Sequence, residues 1–276
     1  MTYAVRSAVV RFGDSLALDE VSLLIEPGSV VAVVGGDGAG KTTLLRALVG
    51  KVQLEQGEVD APPPQQIGYL PATAGSWPSL TVVQNMDFVG GIYGLAGKAL
   101  VSRRNELLGR ASLLDAADRL ASQLSGGMRR KLGFAMAMLH DPPLLVLDEP
   151  STGVDPVSRV DLWRLVSEAA AAGAAVVMST TYLDEAERAA ELLALDGGRM
   201  LASGTLQEVL DSFGGAIACT ATPRRRALAW RRGRDYHEYW PTTAGVPPDA
   251  VAVVPDLEDV VIALSLLRGR VRELAS

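Results

Sequence analysis

Gly35-Gly36-Asp37-Gly38-Ala39-Gly40-Lys41-Thr42 is the stretch whose reading decides the fold. It fits G-x-x-x-x-G-K-[ST] in full, and its flanks supply the strand and helix that the pattern needs. Val30 to Val34, just before it, is a short continuous apolar run and reads as a buried strand. After it, Leu44, Leu45 and Leu48 share one helical face, so a helix is expected from near Gly40 to Gly50. Glycines at this spacing let backbone N–H groups turn inward as an anion nest, and the helix N-terminus adds partial positive charge. Gly35, Gly38, Ala39, Gly40, Lys41, Thr42 and Thr43 are therefore candidate phosphate-binding residues. Lys41 can reach the outer phosphates of a nucleotide, and the Thr42 hydroxyl is a candidate Mg²⁺ ligand. Asp37 brings negative charge close to phosphate, so its side chain is expected to point away.

Working outward, Val5 to Phe12 and Ala17 to Ile25 read as strands, with Pro27-Gly28 as the turn before Val30. Ala61-Pro62-Pro63-Pro64 is a stiff loop, and Ile67 to Leu70 a short strand after it. Residues 80–122 read as mainly helical, with breaks at Gly90-Gly91 and Gly94. Leu144 to Leu147 and Ala174 to Ser179 are expected buried strands. Asp161 to Ala172 and Leu183 to Leu192 are expected helices. Strands that are continuous apolar runs, alternating with helices, imply an α/β fold with a mostly parallel sheet covered on both faces. From about residue 216 the character changes, and 216–276 reads as a small C-terminal appendage to a domain spanning 1–215.

The strand Leu144 to Leu147 runs into Asp148-Glu149-Pro150. Such a strand delivers its last residues to the C-terminal edge of the sheet, where ligands bind in open α/β folds. In isolation the two carboxylates could be a solvated turn. Behind a phosphate loop, Asp148 is a candidate to hold Mg²⁺ through water, and Glu149 is the candidate base for an attacking water.

Composition sets the surroundings. The 276 residues are 48% hydrophobic and 21% charged, an ordinary globular balance with room for one large core. A net charge of −6 offers no global attraction to nucleic acid. One cysteine, Cys219, leaves no internal disulfide framework and fits a reducing compartment. No apolar run is long enough for a membrane helix, and the N-terminus lacks a signal-peptide pattern, so a cytosolic chain is expected.

Leu124-Ser125-Gly126-Gly127-Met128-Arg129-Arg130 lies about twenty residues before the carboxylate strand. It resembles the signature sequence of ABC transporter nucleotide-binding domains, and the resemblance spans roughly residues 3–215. It implies a P-loop NTPase (RecA-like) core with an antiparallel β subdomain and a helical signature subdomain over about 73–140. In that family Ser125, Gly126 and Gly127 would meet the γ-phosphate of ATP bound to a second subunit, so that ATP is sandwiched head to tail. A helix N-terminus suits that anion role. The same resemblance assigns Phe12 to adenine stacking, with burial in the core as the plain alternative. It assigns Asp155, in Ser151-Thr152-Gly153-Val154-Asp155-Pro156, to the loop crossing the dimer interface. ATP and Mg²⁺ are the implied ligands. The implied partners are a membrane permease and a second ATPase subunit, identical or not, on the inner face of the cell membrane. Ile67 to Pro71, Trp77 to Val82, Leu183 to Glu187 and Pro255 to Val260 resemble the drug, lipid and polysaccharide exporter branch.

Two positions depart from that pattern. Ala72 stands where the family places a glutamine that senses Mg²⁺ and the attacking water, and Thr181 stands where it places a histidine that contacts the γ-phosphate. Alanine has neither donor nor acceptor in its side chain, and a threonine hydroxyl is short and uncharged. ATP binding is expected to survive and hydrolysis at this chain's own phosphate loop to be slow. The intact signature could then complete a competent site on a partner. His140, at a helix end, reads as structural. Arg224, Arg225, Arg226, Arg231, Arg232 and Arg234 surround Trp230. They suit anionic lipid or permease contact, single-stranded nucleic acid with Trp230 stacking, or a solvated strand pair with Trp230 packed on the main domain. A soluble ATPase acting on ribosomes or DNA, and a non-hydrolysing regulatory subunit, are the alternatives to a transport motor.

Overall fold

A computed structural model describes every residue except Ala74, Asp249 and Ser276. Ala74, just after Ala72 and Thr73, therefore lies outside the described residues. In chain order the elements are β1 (Tyr3–Phe12), β2 (Ser15–Ile25), β3 (Val30–Val34), α1 (Lys41–Leu48), β4 (Gln56–Asp60) and β5 (Ile67–Leu70). Then come α2 (Val82–Ile92), α3 (Gly97–Arg110), α4 (Gly126–Ala137), β6 (Leu144–Leu147), α5 (Pro156–Ala171) and β7 (Ala175–Thr180). They are followed by α6 (Leu183–Ala186), β8 (Glu191–Asp196), β9 (Arg199–Gly204) and α7 (Leu206–Asp211). The chain closes with β10 (Gly215–Thr220), β11 (Ala229–Arg232), β12 (Asp235–Pro241), β13 (Val251–Val253) and α8 (Leu257–Ala275).

Six strands form the central sheet in the order β5-β6-β7-β3-β8-β9, all parallel except β9. Alternate side chains of each strand go to opposite faces. Leu145, Leu147, Val176 and Met178 pack into a layer with α2, α3, α4 and α5. Leu144, Val146, Val31 and Val33 face the opposite way, against Leu44, Leu45 and Leu48 of α1 and the antiparallel sheet β2-β1-β4. Each of those three leucines is fully buried, which contributes about 1.5–3 kcal/mol apiece. The expected parallel sheet covered on both faces is therefore present.

Several elements differ from expectation, each for a local reason. The helix expected over Leu183 to Leu192 is one turn only, α6, and Glu191–Asp196 is strand β8. Leu192 to Leu195 are buried between β3 and β9, so pairing on both sides overrides helical propensity. Helix α2 runs straight through Gly90-Gly91, which are not a break. A Cβ on Gly90 would sit 2.3 Å from Leu100 Cδ1, so the glycine permits close helix packing. Helix α5 begins at Pro156 rather than Asp161, because Asp155 caps it and proline suits the first turn. Strand β4 was not expected: it is polar and exposed, and only its pairing with β1 reveals it.

The C-terminal part is a four-stranded sheet, β11-β12-β10-β13, with α8 laid across it. Trp230 packs there with Ile217, Leu228, Tyr239 and Ala263 of α8, rather than on the main domain. Leu257 and Val260 of α8 are fully buried against Ala32, Val34, Leu192 and Ala194 of the central sheet, which joins the two parts. Arg232 adds ion pairs to Asp256, Glu258 and Asp259 at the start of α8. Arg225 stacks on Trp240 at 4.3 Å. Arg225, Arg231 and Arg232 are thus engaged within the chain.

Candidate functional site

The loop between β3 and α1 crosses the C-terminal edge of the sheet between strands that diverge to either side, the place where open α/β sheets bind ligands. Gly40 adopts φ +105°, and a Cβ there would sit 2.8 Å from Ala17 O, so only glycine fits. Asp37, Gly38, Ala39, Gly40, Lys41, Thr42 and Thr43 line a polar cleft of about 310 Å³, closed on one side by Ser15 to Ala17 and on another by Glu149. The phosphate-binding candidates therefore converge. Phe12 is 55% exposed at the end of β1, near the cleft's Ser15 wall, so it is not a core residue.

Lys41 is buried and donates to Gly35 O at 2.7 Å and Gly36 O at 3.1 Å, with Glu149 Oε1 3.5 Å away. Thr42 Oγ1 donates to Asp148 Oδ1 at 3.0 Å. The second Asp148 oxygen, Oδ2, is buried and has no hydrogen-bond partner among the described residues. A buried carboxyl oxygen left without a hydrogen-bond partner is costly. A hydroxyl oxygen beside a buried carboxylate is a hard oxygen donor set, so these residues fit a divalent cation such as Mg²⁺. Among the described residues no cluster of three His, Cys, Asp or Glu could hold a metal by itself, so the remaining ligands would be phosphate oxygens and water.

Two partners of these carboxylates, and a buried third carboxylate nearby, were not singled out from the sequence. Ser179, at the end of β7, donates to Asp148 Oδ1 at 2.8 Å and accepts the Glu149 N–H at 2.9 Å. Glu149 needs that support, since its φ of +48° is left-handed and uncommon for a side-chain-bearing residue. Thr152 Oγ1 donates to Glu149 Oε2 at 3.0 Å. Glu185 is buried and accepts from Ser151 Oγ at 2.8 Å and Thr180 Oγ1 at 2.7 Å, which ties the loop after Glu149 to the end of β7. The available signal was position: Ser179 ends a strand that pairs with the carboxylate strand.

Ser125, Gly126, Gly127 and Asp155 lie outside this cleft and gather at a second place. Ser125 caps α4 by accepting the Met128 N–H at 3.2 Å, and Asp155 caps α5 by accepting the Ser158 N–H at 3.0 Å. Those Ser158 hydrogen bonds hold the Asp155 carboxyl below its ordinary range. A Cβ on Gly127 would be 2.5 Å from Ser158 Oγ, so the two helix starts press together. Ser125 and Gly126 remain exposed. Ala72 and Thr181 are both exposed and carry neither the amide nor the imidazole expected of their positions.

Residues 18–152 match the model of the family described as ABC transporter. The chain is 36% identical over 220 residues to "Probable multidrug ABC transporter ATP-binding protein YbhF" of Escherichia coli, a match covering 76% of this chain but 38% of that protein. It is 35% identical over 212 residues to "Nod factor export ATP-binding protein I" of Cupriavidus metallidurans, covering 73% of this chain and 70% of that one. A solved structure described as "ATP binding subunit of ABC transporter" superposes with a TM-score of 0.71 at 28% identity, over 78% of this chain and 94% of its own. At 35% identity to a relative covered over 70% of its length, the chain belongs to the ABC transporter family, among its ATP-binding cassettes.

Proposed function

We propose that this cassette is the ATP-driven motor of an exporter, acting on a separate membrane permease from the cytoplasmic face. The carrying observation is the Thr42–Asp148 pair beside the phosphate loop, with Asp148 Oδ2 buried and unpartnered. Thr42 and Asp148 would hold Mg²⁺, which would supply stabilisation of the charge that develops during phosphoryl transfer. The chain's own residues do the rest. Backbone N–H groups of Gly38 to Thr42 receive phosphate, and Lys41 exchanges its carbonyl partners for phosphate oxygens. Glu149, oriented by Ser179 and Thr152, accepts the proton of the attacking water. Relatives named for multidrug and Nod factor export support the export direction.

Ser125 to Gly127 and Asp155 lie outside the cleft at two helix starts, with Ser125, Gly126 and Asp155 exposed, so they serve a second cassette's nucleotide in a head-to-tail pair. ATP then favours the closed pair because it binds that state better. An apolar groove of about 340 Å³, lined by Tyr69, Pro71, Trp77, Ile92, Tyr93 and Met136, borders the Ala72 to Thr81 loop and suits a permease segment. Among the described residues no helix is long and apolar enough to cross a membrane, which fits a motor separate from its permease.

With Ala72 and Thr181 in place, hydrolysis at this chain's own cleft is slow, by about 10²–10³ for one missing positioned donor. The motor then works best as an asymmetric pair with an intact partner cassette. The test is ATP turnover by the purified chain and by the transporter reconstituted with its permease. Fast turnover by the chain alone removes the asymmetric model, and Ala72→Gln with Thr181→His raises turnover of the homodimer if the two losses are the cause.

A further inference from the structure

Arg130 lies on the second turn of α4, five residues past Ser125. Its side chain leaves the helix and reaches the segment that follows β5. Nη1 donates to Pro71 O and to Thr73 O, both at 3.1 Å, and Nη2 donates to Ala72 O. Three successive carbonyls therefore converge on one guanidinium. The residue just before them, Leu70, accepts the Asp148 N–H at 2.8 Å. The strand end from which the clamped segment leaves is thus hydrogen-bonded to the start of the carboxylate pair.

Two further facts give this contact weight. The guanidinium is partly buried, which lowers its pKa, while the charges of Glu149 and Asp148 oppose that effect, so cation and carboxylates interact electrostatically. Ala72 also offers no polar side chain with which the segment could hold itself against those carboxylates. Orientation must come from the main chain, and the main chain is what Arg130 grips.

We infer that Arg130 is a positioning residue for ATP hydrolysis, holding the 71–73 segment and its own positive charge against the Asp148–Glu149 edge. It also makes the signature helix and the chain's own cleft one mechanical unit, because the same helix carries Ser125 at its start. Arginine suits the task, since its planar fork reaches several acceptors at once whereas an ammonium is a point charge. This rests on reading the cleft as a hydrolytic site.

The experiment compares wild type, Arg130→Met and Arg130→Lys in the full chain. It measures hydrogen exchange of a peptide containing residues 71–73, the Kd of a fluorescent ATP analogue, and kcat. Expected for Arg130→Met is about tenfold faster exchange in that peptide, with the other strands unaffected. Its kcat falls about tenfold while the Kd stays within about twofold, and Arg130→Lys lies between. Unchanged exchange together with unchanged kcat overturns the inference. So does faster exchange across all of α4 with Kd and kcat worsening together, the pattern of a merely structural residue. If Arg130→Met does not fold, Arg130→Lys carries the same comparison. Wild type that neither binds nor turns over ATP would defeat the functional reading instead, and the exchange result would still decide the clamp.

Discussion

The Ser179 hydroxyl donates to Asp148 Oδ1 at 2.8 Å, in the buried seam where β6 and β7 run parallel. The same oxygen accepts the Glu149 N–H, so one small side chain orients both carboxylates. Ser179→Ala leaves a buried N–H without its acceptor, a cost of about 1–3 kcal/mol. Urea denaturation should show that loss, and kcat should fall about tenfold as Glu149 loses its orientation. Unchanged kcat would reduce Ser179 to a structural role.

Glu149 faces the cleft beside Lys41 and carries the role of base. Glu149→Gln keeps the shape and removes the proton acceptor. Single-turnover measurements should show hydrolysis slowed by about 10²–10⁴. ATP binding, read by equilibrium titration, should persist.

Gly40 combines φ +105° with a site where a Cβ would meet Ala17 O at 2.8 Å and Leu18 Cδ2 at 2.9 Å. Gly40→Ala therefore strains the backbone by about 1–3 kcal/mol and displaces the loop. Both the denaturation midpoint and ATP affinity should drop. Retained affinity would show that the loop can relax around the methyl group.

His140 stacks on Tyr93, with ring centroids 3.7 Å apart, and its burial lowers its pKa from 6.5. The fold thus favours the neutral ring. The unfolded chain takes up protons first as pH falls below 6.5, so this contribution is complete above 6.5 and declines as pH falls through the lower, folded value. His140→Phe keeps an aromatic ring that cannot titrate. The variant's denaturation midpoint should vary less than that of wild type across this window. Parallel curves would remove His140 as a source of acid sensitivity.

How much was legible before the structure depended on range. The phosphate loop was readable because its glycines, lysine and threonine are contiguous and the flanking runs are unambiguous. The Asp148-Glu149 pair was readable for the same reason. Strand β4 was not, since its residues are polar and exposed. Nor was β8, because Leu192 to Leu195 carry no period that separates a buried strand from a helix.

The sequence by itself determined the α/β plan, the phosphate loop, the carboxylate pair, the signature turn, and the losses at Ala72 and Thr181. These reside in adjacent residues or simple spacings, where local backbone chemistry is enough. Only the tertiary structure decided how distant pieces meet: Thr42 with Asp148, Ser179 beneath both carboxylates, and Arg130 on the carbonyls of Pro71 to Thr73. Those contacts span many residues and depend on strand order and register, which side-chain burial across the whole sheet selects and no short stretch encodes.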